Sequence, residues 1–295
     1  MLVVQTHAGR LGRAVHTPDT WEEAAAFLRE QPFDAAVAGG ATYLMWRAAH
    51  GEPMPEHLVS LHRIAGHDEV DEGSVGALAT LRRVERGPLT GPQRALTMAA
   101  SVTAGPAVRT MATLGGNVAS GFPKADLMPP LLALDATVHL HDGGTIPITE
   151  MAEHGIPTAR LVTRITHDLS AEDGWTGASV KLCRRGMDLS VALASAVLRV
   201  DGDEIVDGRV AVGSLYDRPV RLPEVESALV GADTSAETMT ELMEFVGMSG
   251  RRFEDDEEAS GAYRSRIAVP LVRRALTLAL RLGTDGEPRP GEARA

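Results

Sequence analysis

Two segments of the chain have residue types and spacing suited to holding a bulky anion. The first is Val37-Ala38-Gly39-Gly40-Ala41-Thr42, and the second is Ala112-Thr113-Leu114-Gly115-Gly116-Asn117-Val118-Ala119-Ser120. Adjacent glycines let peptide N–H groups come within hydrogen-bonding distance of a phosphate, because no Cβ stands in the way. Each pair follows a short apolar stretch and precedes a helix-like run, the arrangement in which a turn can cradle a pyrophosphate. Taken singly, such a pair is equally a tight surface turn. The second segment continues into Pro123, Asp126 and the apolar run Leu131-Leu132-Ala133-Leu134. A carboxylate at Asp126 could accept two hydroxyls at once, or serve as a helix N-cap ahead of Leu127.

Other chemistries lack their residues. Cys183 is the single cysteine in 295 residues, which excludes intrachain disulfides, a Cys-ligated iron–sulfur cluster and a Cys-based zinc site within this polypeptide. Flanked by Lys181 and Arg184, it reads either as a small packed hydrophobe or as a thiol activated by neighbouring cations. The histidines are scattered, with no His-Glu pair at helical spacing of the kind that binds zinc. There is no Gly-x-Ser-x-Gly elbow and no Walker loop. A net charge of −11 disfavours nucleic-acid or anionic-membrane partners. No apolar run reaches the roughly 20 residues that span a bilayer, and Gln5, Thr6 and His7 interrupt any secretory apolar core, so the expected location is the cytoplasm with no membrane insertion.

The glycine turns must be positioned by elements around them. Apolar spacing at Trp21, Ala24, Ala25 and Leu28 predicts a helix over 20–29, followed by a strand over 34–38, a helix over 43–50 and a strand over 58–61. This is a small β-α-β-type unit. From 73 to 165 the pattern predicts an antiparallel, helix-decorated unit, with strands over 74–78 and 136–140, a helix over 92–102, and a hairpin turning at His141-Asp142-Gly143-Gly144. A polar linker over 170–177 leads to three strands, 179–183, 191–200 and 205–212, and then to helices over 222–230, 236–248 and 265–281. The last helix carries a stripe of Ala268, Leu271, Val272, Ala275, Leu276 and Ala279, and Pro270 fits it only near a first turn. The tail over 284–295 is expected to be disordered.

The ordered series of these motifs resembles the FAD-binding middle subunit of molybdenum hydroxylases, the family of xanthine dehydrogenase and molybdenum carbon monoxide dehydrogenase. That family's A-G-G-x-x-x-L pattern matches Ala38 to Leu44, and its A-T-x-G-G-N-x-x-x-x-x-P-x-x-D-L pattern matches Ala112 to Leu127. The likeness continues through residues 75–80, Lys181-Leu182-Cys183-Arg184-Arg185, and 207–214, and ends near 263–276. It implies an α+β fold with a two-subdomain FAD-binding domain of the vanillyl-alcohol-oxidase/PCMH type over 1–168 (subdomains about 1–65 and 66–168). A small domain of three antiparallel strands plus helices over 178–283 follows, of the CO dehydrogenase flavoprotein type.

For the site, the resemblance implies a pyrophosphate cradle from Ala38, Gly39, Gly40, Ala41 and Thr42 on one side and Thr113, Gly115, Gly116 and Asn117 on the other. It also implies dinucleotide contacts from Ser120 and Asp126, and a catalytic cation, Lys181, at the polar edge of the flavin ring; a lysine on a strand edge is the alternative for that position. The implied work is electron transfer through FAD to a small-molecule acceptor. The molybdenum cofactor would lie on a large partner subunit and the iron–sulfur clusters on a small one, with no metal in this chain, and the single cysteine agrees with that division. Two departures stand out. Ala41-Thr42 replaces the family's more usual Gln/Thr and Ser/Asp. The segment Thr149 to Pro157 is shorter than the family's flavin-covering segment and lacks its aromatics, which leaves open a stand-alone FAD oxidase or dehydrogenase. A flavin-free scaffold is the third reading, against which the intact glycine turns count.

Overall fold

A computed structural model describes residues 14–87, 90–241, 250–285 and 293. Its first unit is a parallel three-stranded sheet in the order β1-β3-β2, formed by β1 (Ala14–His16), β2 (Ala35–Ala38) and β3 (His57–Ser60). Helix α1 (Trp21–Glu30) covers it, with Thr20 as N-cap accepting from the Glu23 amide, and buries the expected face of Trp21, Ala24, Ala25 and Leu28 against Val59 and Leu61. Helix α2 (Thr42–Ala49) leaves the end of β2 directly, so the first glycine turn lies between a strand end and a helix start.

The second unit is an antiparallel sheet in the order β4-β5-β8-β6-β7, with β4 Val70–Asp71, β5 Ser74–Gly76, β6 Thr137–Leu140, β7 Thr145–Pro147 and β8 Val162–Thr166. Between its strands run α3 (Leu81–Arg86), α4 (Arg94–Val102), α5 (Pro106–Arg109), α6 (Leu114–Ala119), α7 (Met128–Ala133) and α8 (Ile148–His154). The hairpin at 141–144 joins β6 to β7 as its turn residues require.

At the end of β8 the His167 amide donates to the Gly73 carbonyl at 3.0 Å, and its Nδ1 accepts from the Leu169 amide at 3.2 Å. Burial lowers the His167 pKa to about 4, against a small opposing effect of Asp168. The imidazole is therefore neutral in the fold, whereas the unfolded side chain takes up a proton below about 6.5. The associated stability is fully present above that value and is lost as the pH falls from about 6.5 toward 4, by roughly 3 kcal/mol. His167→Asn keeps an acceptor and removes the titration, so urea denaturation of this variant across pH 7 to 4 will show a shallower acid decline than the parent.

The third unit is an antiparallel sheet in the order β12-β11-β10-β9, with β9 Trp175–Leu182, β10 Ala192–Asp201, β11 Glu204–Gly213 and β12 Val220–Arg221. Three strands are expected from the sequence, and the fourth, two residues long, is below what periodicity can register. Residues 175–177, expected in a linker, belong to β9. Trp175 to Val180 and Ala192 to Leu198 are buried throughout, because one sheet face packs on α4 and α7 and the other on α11 (Gly261–Asp285). Such two-sided burial explains their continuous small and apolar character.

The C-terminal helix runs well past both expected ends, and Pro270 lies in its interior. Pro270 is exposed, so the carbonyl it leaves without an amide partner faces water. The stripe from Ala268 to Ala279 is buried as its spacing requires. Helices α9 (Pro223–Leu229) and α10 (Ala236–Glu241) precede it. Positions 242–248 of the expected third helix lie outside the described residues, as does most of the expected tail; residues 284 and 285 are the end of α11.

Candidate functional site

Between the first and second units lies a cavity of about 340 Å³, walled by the two glycine turns. Gly39, Gly40, Ala41, Thr42 and Tyr43 line one side; Thr113, Gly115, Gly116, Asn117 and Ser120 line the other. Sequence spacing alone could not place the turns face to face, and the packing shows why both need glycine. A Cβ at Gly40 would overlap the Met111 carbonyl oxygen. A Cβ at Gly39 would stand 2.6 Å from Thr113 Oγ1, and one at Gly116 would stand 2.8 Å from the same oxygen. None of these glycines has a positive φ. Close approach, of backbone at Gly40 and of the Thr113 hydroxyl at Gly39 and Gly116, is what demands them rather than a left-handed conformation.

The two turns differ in what their amides do. Ala41 adopts the left-handed conformation (φ 56°, ψ 0°) and is the N-cap of α2, but no side chain caps this helix. The amides of Gly39, Gly40, Ala41, Thr42, Tyr43 and Leu44 donate to no described residue, and the first helical bond is Met45 N to Ala41 O at 2.9 Å. Helices α1, α3 and α6, by contrast, are each capped by a threonine hydroxyl. The open start of α2 therefore presents free donors and the positive end of the helix dipole to the cavity. The second glycine pair lies not in a turn after a strand, as expected, but within the first turn of α6, which follows α5, and its amides are already used: Gly115 N donates to Ala77 O at 2.9 Å, Gly116 N to Thr113 Oγ1 at 3.1 Å, and Asn117 N to Thr113 O at 2.9 Å. This side is a rigid wall, pinned to the 77–81 segment through Leu81 N to Ala112 O and Leu114 N to Ala79 O.

The remaining lining has a definite charge. Arg47 and Arg160 are among the lining residues and no Asp or Glu is, in a chain of net charge −11. Arg47 is held by Glu52 at 2.6 Å and Arg160 by Asp142 at 2.8 Å. Apolar contact comes from Leu44, Leu61, Leu78, Phe122, Ile156, Leu161 and Val162. Tyr43 packs on Phe122 (ring centroids 5.0 Å apart) and its phenol pKa is raised by burial, so it stays neutral. Trp46 stacks on Tyr43 but stands behind it, outside the lining. Arg160, Leu161 and Ile156 were not singled out by sequence reasoning, since an arginine in a strand approach and two aliphatic residues carry no local signal.

Asp126 and Lys181 are brought together elsewhere. Lys181 Nζ donates to Asp126 Oδ2 at 2.8 Å and to Val102 O at 3.2 Å, and Ser190 Oγ donates to Asp126 Oδ1. Lys181 is 1% exposed and Asp126 6%. The pair joins the second unit to the third and is not part of the cavity lining. Ala38 is buried at the end of β2, just behind the first turn. Ser120 lines the cavity while its hydroxyl donates to Asn117 O at 2.7 Å. Among the described residues no group of His, Cys, Asp and Glu could hold a metal ion, and no helix is long and apolar enough to cross a membrane.

Residues 9–165, more than half of the chain, match the family of the FAD binding domain in molybdopterin dehydrogenase. The chain belongs to this family. Residues 179–279 match the CO dehydrogenase flavoprotein C-terminal domain. A putative xanthine dehydrogenase FAD-binding subunit of Escherichia coli is 26% identical over 249 residues, covering 78% of this chain and 84% of that protein. A carbon monoxide dehydrogenase medium chain of Hydrogenophaga pseudoflava is 24% identical over 279 residues, covering 90% and 96%. The fold superimposes on a carbon monoxide dehydrogenase structure from Hydrogenophaga pseudoflava with a TM-score of 0.82 at 24% identity, covering 92% of this chain and 98% of that one. A quinoline 2-oxidoreductase structure from Pseudomonas putida 86 gives 0.82 at 23%, covering 92% and 98%. The chain is thus an FAD-binding flavoprotein of the molybdenum hydroxylase family. Its cavity fits FAD on its own terms: an uncapped helix start with free amides, a cationic lining, and apolar walls for the rings.

Proposed function

We propose that this chain is the electron-transferring flavoprotein subunit of a molybdenum hydroxylase, working in the cytoplasm beside a molybdenum-binding large subunit and an iron–sulfur small subunit. FAD, when bound, would supply the redox chemistry that links the partner's clusters to a small-molecule acceptor. The observation that carries the reading is the start of α2, where six consecutive amides from Gly39 to Leu44 lack acceptors among the described residues, at the edge of a cavity. A diphosphate supplies the acceptors and matches the helix dipole. Gly39, Gly40, Ala41 and Thr42 hold it, and Ala38 fixes the strand end behind them. Thr113, Gly115, Gly116 and Asn117 set the width of the cleft, and Ser120 keeps the end of α6 closed.

Asp126 and Lys181 act here as positioning residues. Asn117 Oδ1 accepts from the Leu127 amide at 3.3 Å, which ties the cavity wall to the buried ion pair one residue away. With a single cysteine in its sequence, the chain cannot bind a Cys-ligated cluster. The purified chain will therefore show flavin absorbance, released as FAD on denaturation, with no iron–sulfur bands. A preparation that stays colourless and takes up no FAD on reconstitution overturns the reading.

A further inference from the structure

Arg160 is held in a way that ordinary stability does not explain. Its Nε and Nη2 donate to Asp142 Oδ2 and Oδ1 at 2.8 and 2.9 Å, a two-pronged pairing that fixes the plane of the guanidinium. With side chains 33% and 40% exposed, such a solvent-screened pair contributes little to folding. The surroundings nonetheless fix it closely. Ala159, just before it, has φ 59°, a left-handed conformation that is unfavourable for a non-glycine residue and persists only where neighbours impose it. Those neighbours are visible: His141 N donates to Leu161 O at 2.9 Å and His141 Nδ1 accepts from Leu161 N at 3.2 Å. A Cβ at Gly144 would overlap Arg160 Nη2, so the hairpin turn is shaped to let the guanidinium lie across it. The third nitrogen, Nη1, bonds to no described residue, and Arg160 is among the residues that line the cavity.

We infer that Arg160, oriented by Asp142, is a binding residue whose free nitrogen meets a phosphate of the dinucleotide, adding the side-chain cation that the backbone cradle at α2 lacks. The inference rests on the FAD reading above. Asp142 occupies two of the three nitrogens and partly neutralises the charge, which leaves a directed single donor rather than a mobile cation. Arg47 is the other cation of the lining and is similarly restrained by Glu52. The two arginines then offset the diphosphate charge in a cavity without carboxylates.

The test is titration of the full apo chain with FAD, ADP and riboflavin, for the parent and for Arg160→Gln, Arg160→Lys and Asp142→Asn. One lost charge-assisted bond at a partly exposed site corresponds to roughly a tenfold loss of affinity. Arg160→Gln will weaken FAD and ADP by about that factor and leave riboflavin, which has no phosphate, unchanged. Asp142→Asn will weaken them less, through loss of orientation, and Arg160→Lys will recover part of the loss at low salt. If Arg160→Gln binds all three like the parent, or loses riboflavin but not ADP, the phosphate assignment is wrong while the FAD reading stands. A parent that binds none of the three removes the underlying reading instead.

Discussion

Gly40→Val will eliminate FAD binding, with affinity falling at least a hundredfold, and no single change on the opposite turn will restore it. The obstacle is backbone: a Cβ at position 40 overlaps the Met111 carbonyl, whose neighbour Ala112 is tied by its own carbonyl to Leu81 N at 2.8 Å. The first turn must therefore move away from the second, and the free amides at the start of α2 move with it. Gly39→Ala provides the contrast. Its obstacle is one side-chain oxygen, Thr113 Oγ1, so the variant will also bind FAD poorly, but adding Thr113→Ala will recover part of the affinity. The recovery is partial because Thr113 Oγ1 caps α6, and losing a cap costs about 1 kcal/mol. Fluorescence titration with FAD, alongside circular dichroism to verify that the fold persists, measures both. Equal rescue of Gly40→Val by Thr113→Ala would mean that the turns do not meet as described.

Much of this site was legible in the sequence, because its main signals are local. The first glycine pair, after a strand and before a helix, can be read from the local sequence, and the family pattern picks out the second, which lies inside α6. The strands and helices of the first unit were within a residue or two of their places for the same reason: short loops and clean apolar spacing. What stayed hidden depends on contacts between distant residues. Thr113 Oγ1 lying between Gly39 and Gly116, the bond of the Gly115 amide to Ala77 O, and Arg160 lining the cavity from the approach to β8 all arise from packing of segments distant in the chain. Helices α3 and α5, six and four residues long, and strand β1, three residues long, are too short for periodicity to register. Pro270 misled for a physical reason too. Proline weakens a helix by freeing a carbonyl, and on a solvent-facing surface water accepts that loss.

Lys181 is where resemblance and geometry lead to different experiments. A cation at the flavin edge would chiefly set the reduction potential, and its loss would make FAD harder to reduce with little effect on folding. In the structure Lys181 is instead 1% exposed, bound to Asp126 and Val102 O, and not among the residues that line the cavity. Lys181→Met then leaves the Asp126 carboxylate, 6% exposed, with Ser190 as its remaining side-chain partner. Breaking a buried pair from one side costs about 3–5 kcal/mol, whereas replacing both members with apolar groups of similar volume is far milder. We expect Lys181→Met to lose stability on that scale in chemical denaturation, and the double variant Lys181→Met/Asp126→Leu to be more stable than the sum of the two single changes predicts, because the charges are coupled. The midpoint potential of FAD bound to Lys181→Met should stay close to that of the parent. A variant of nearly parental stability whose flavin potential has fallen markedly would place Lys181 at the ring after all, and would show that the ion pair with Asp126 gives way when FAD is bound.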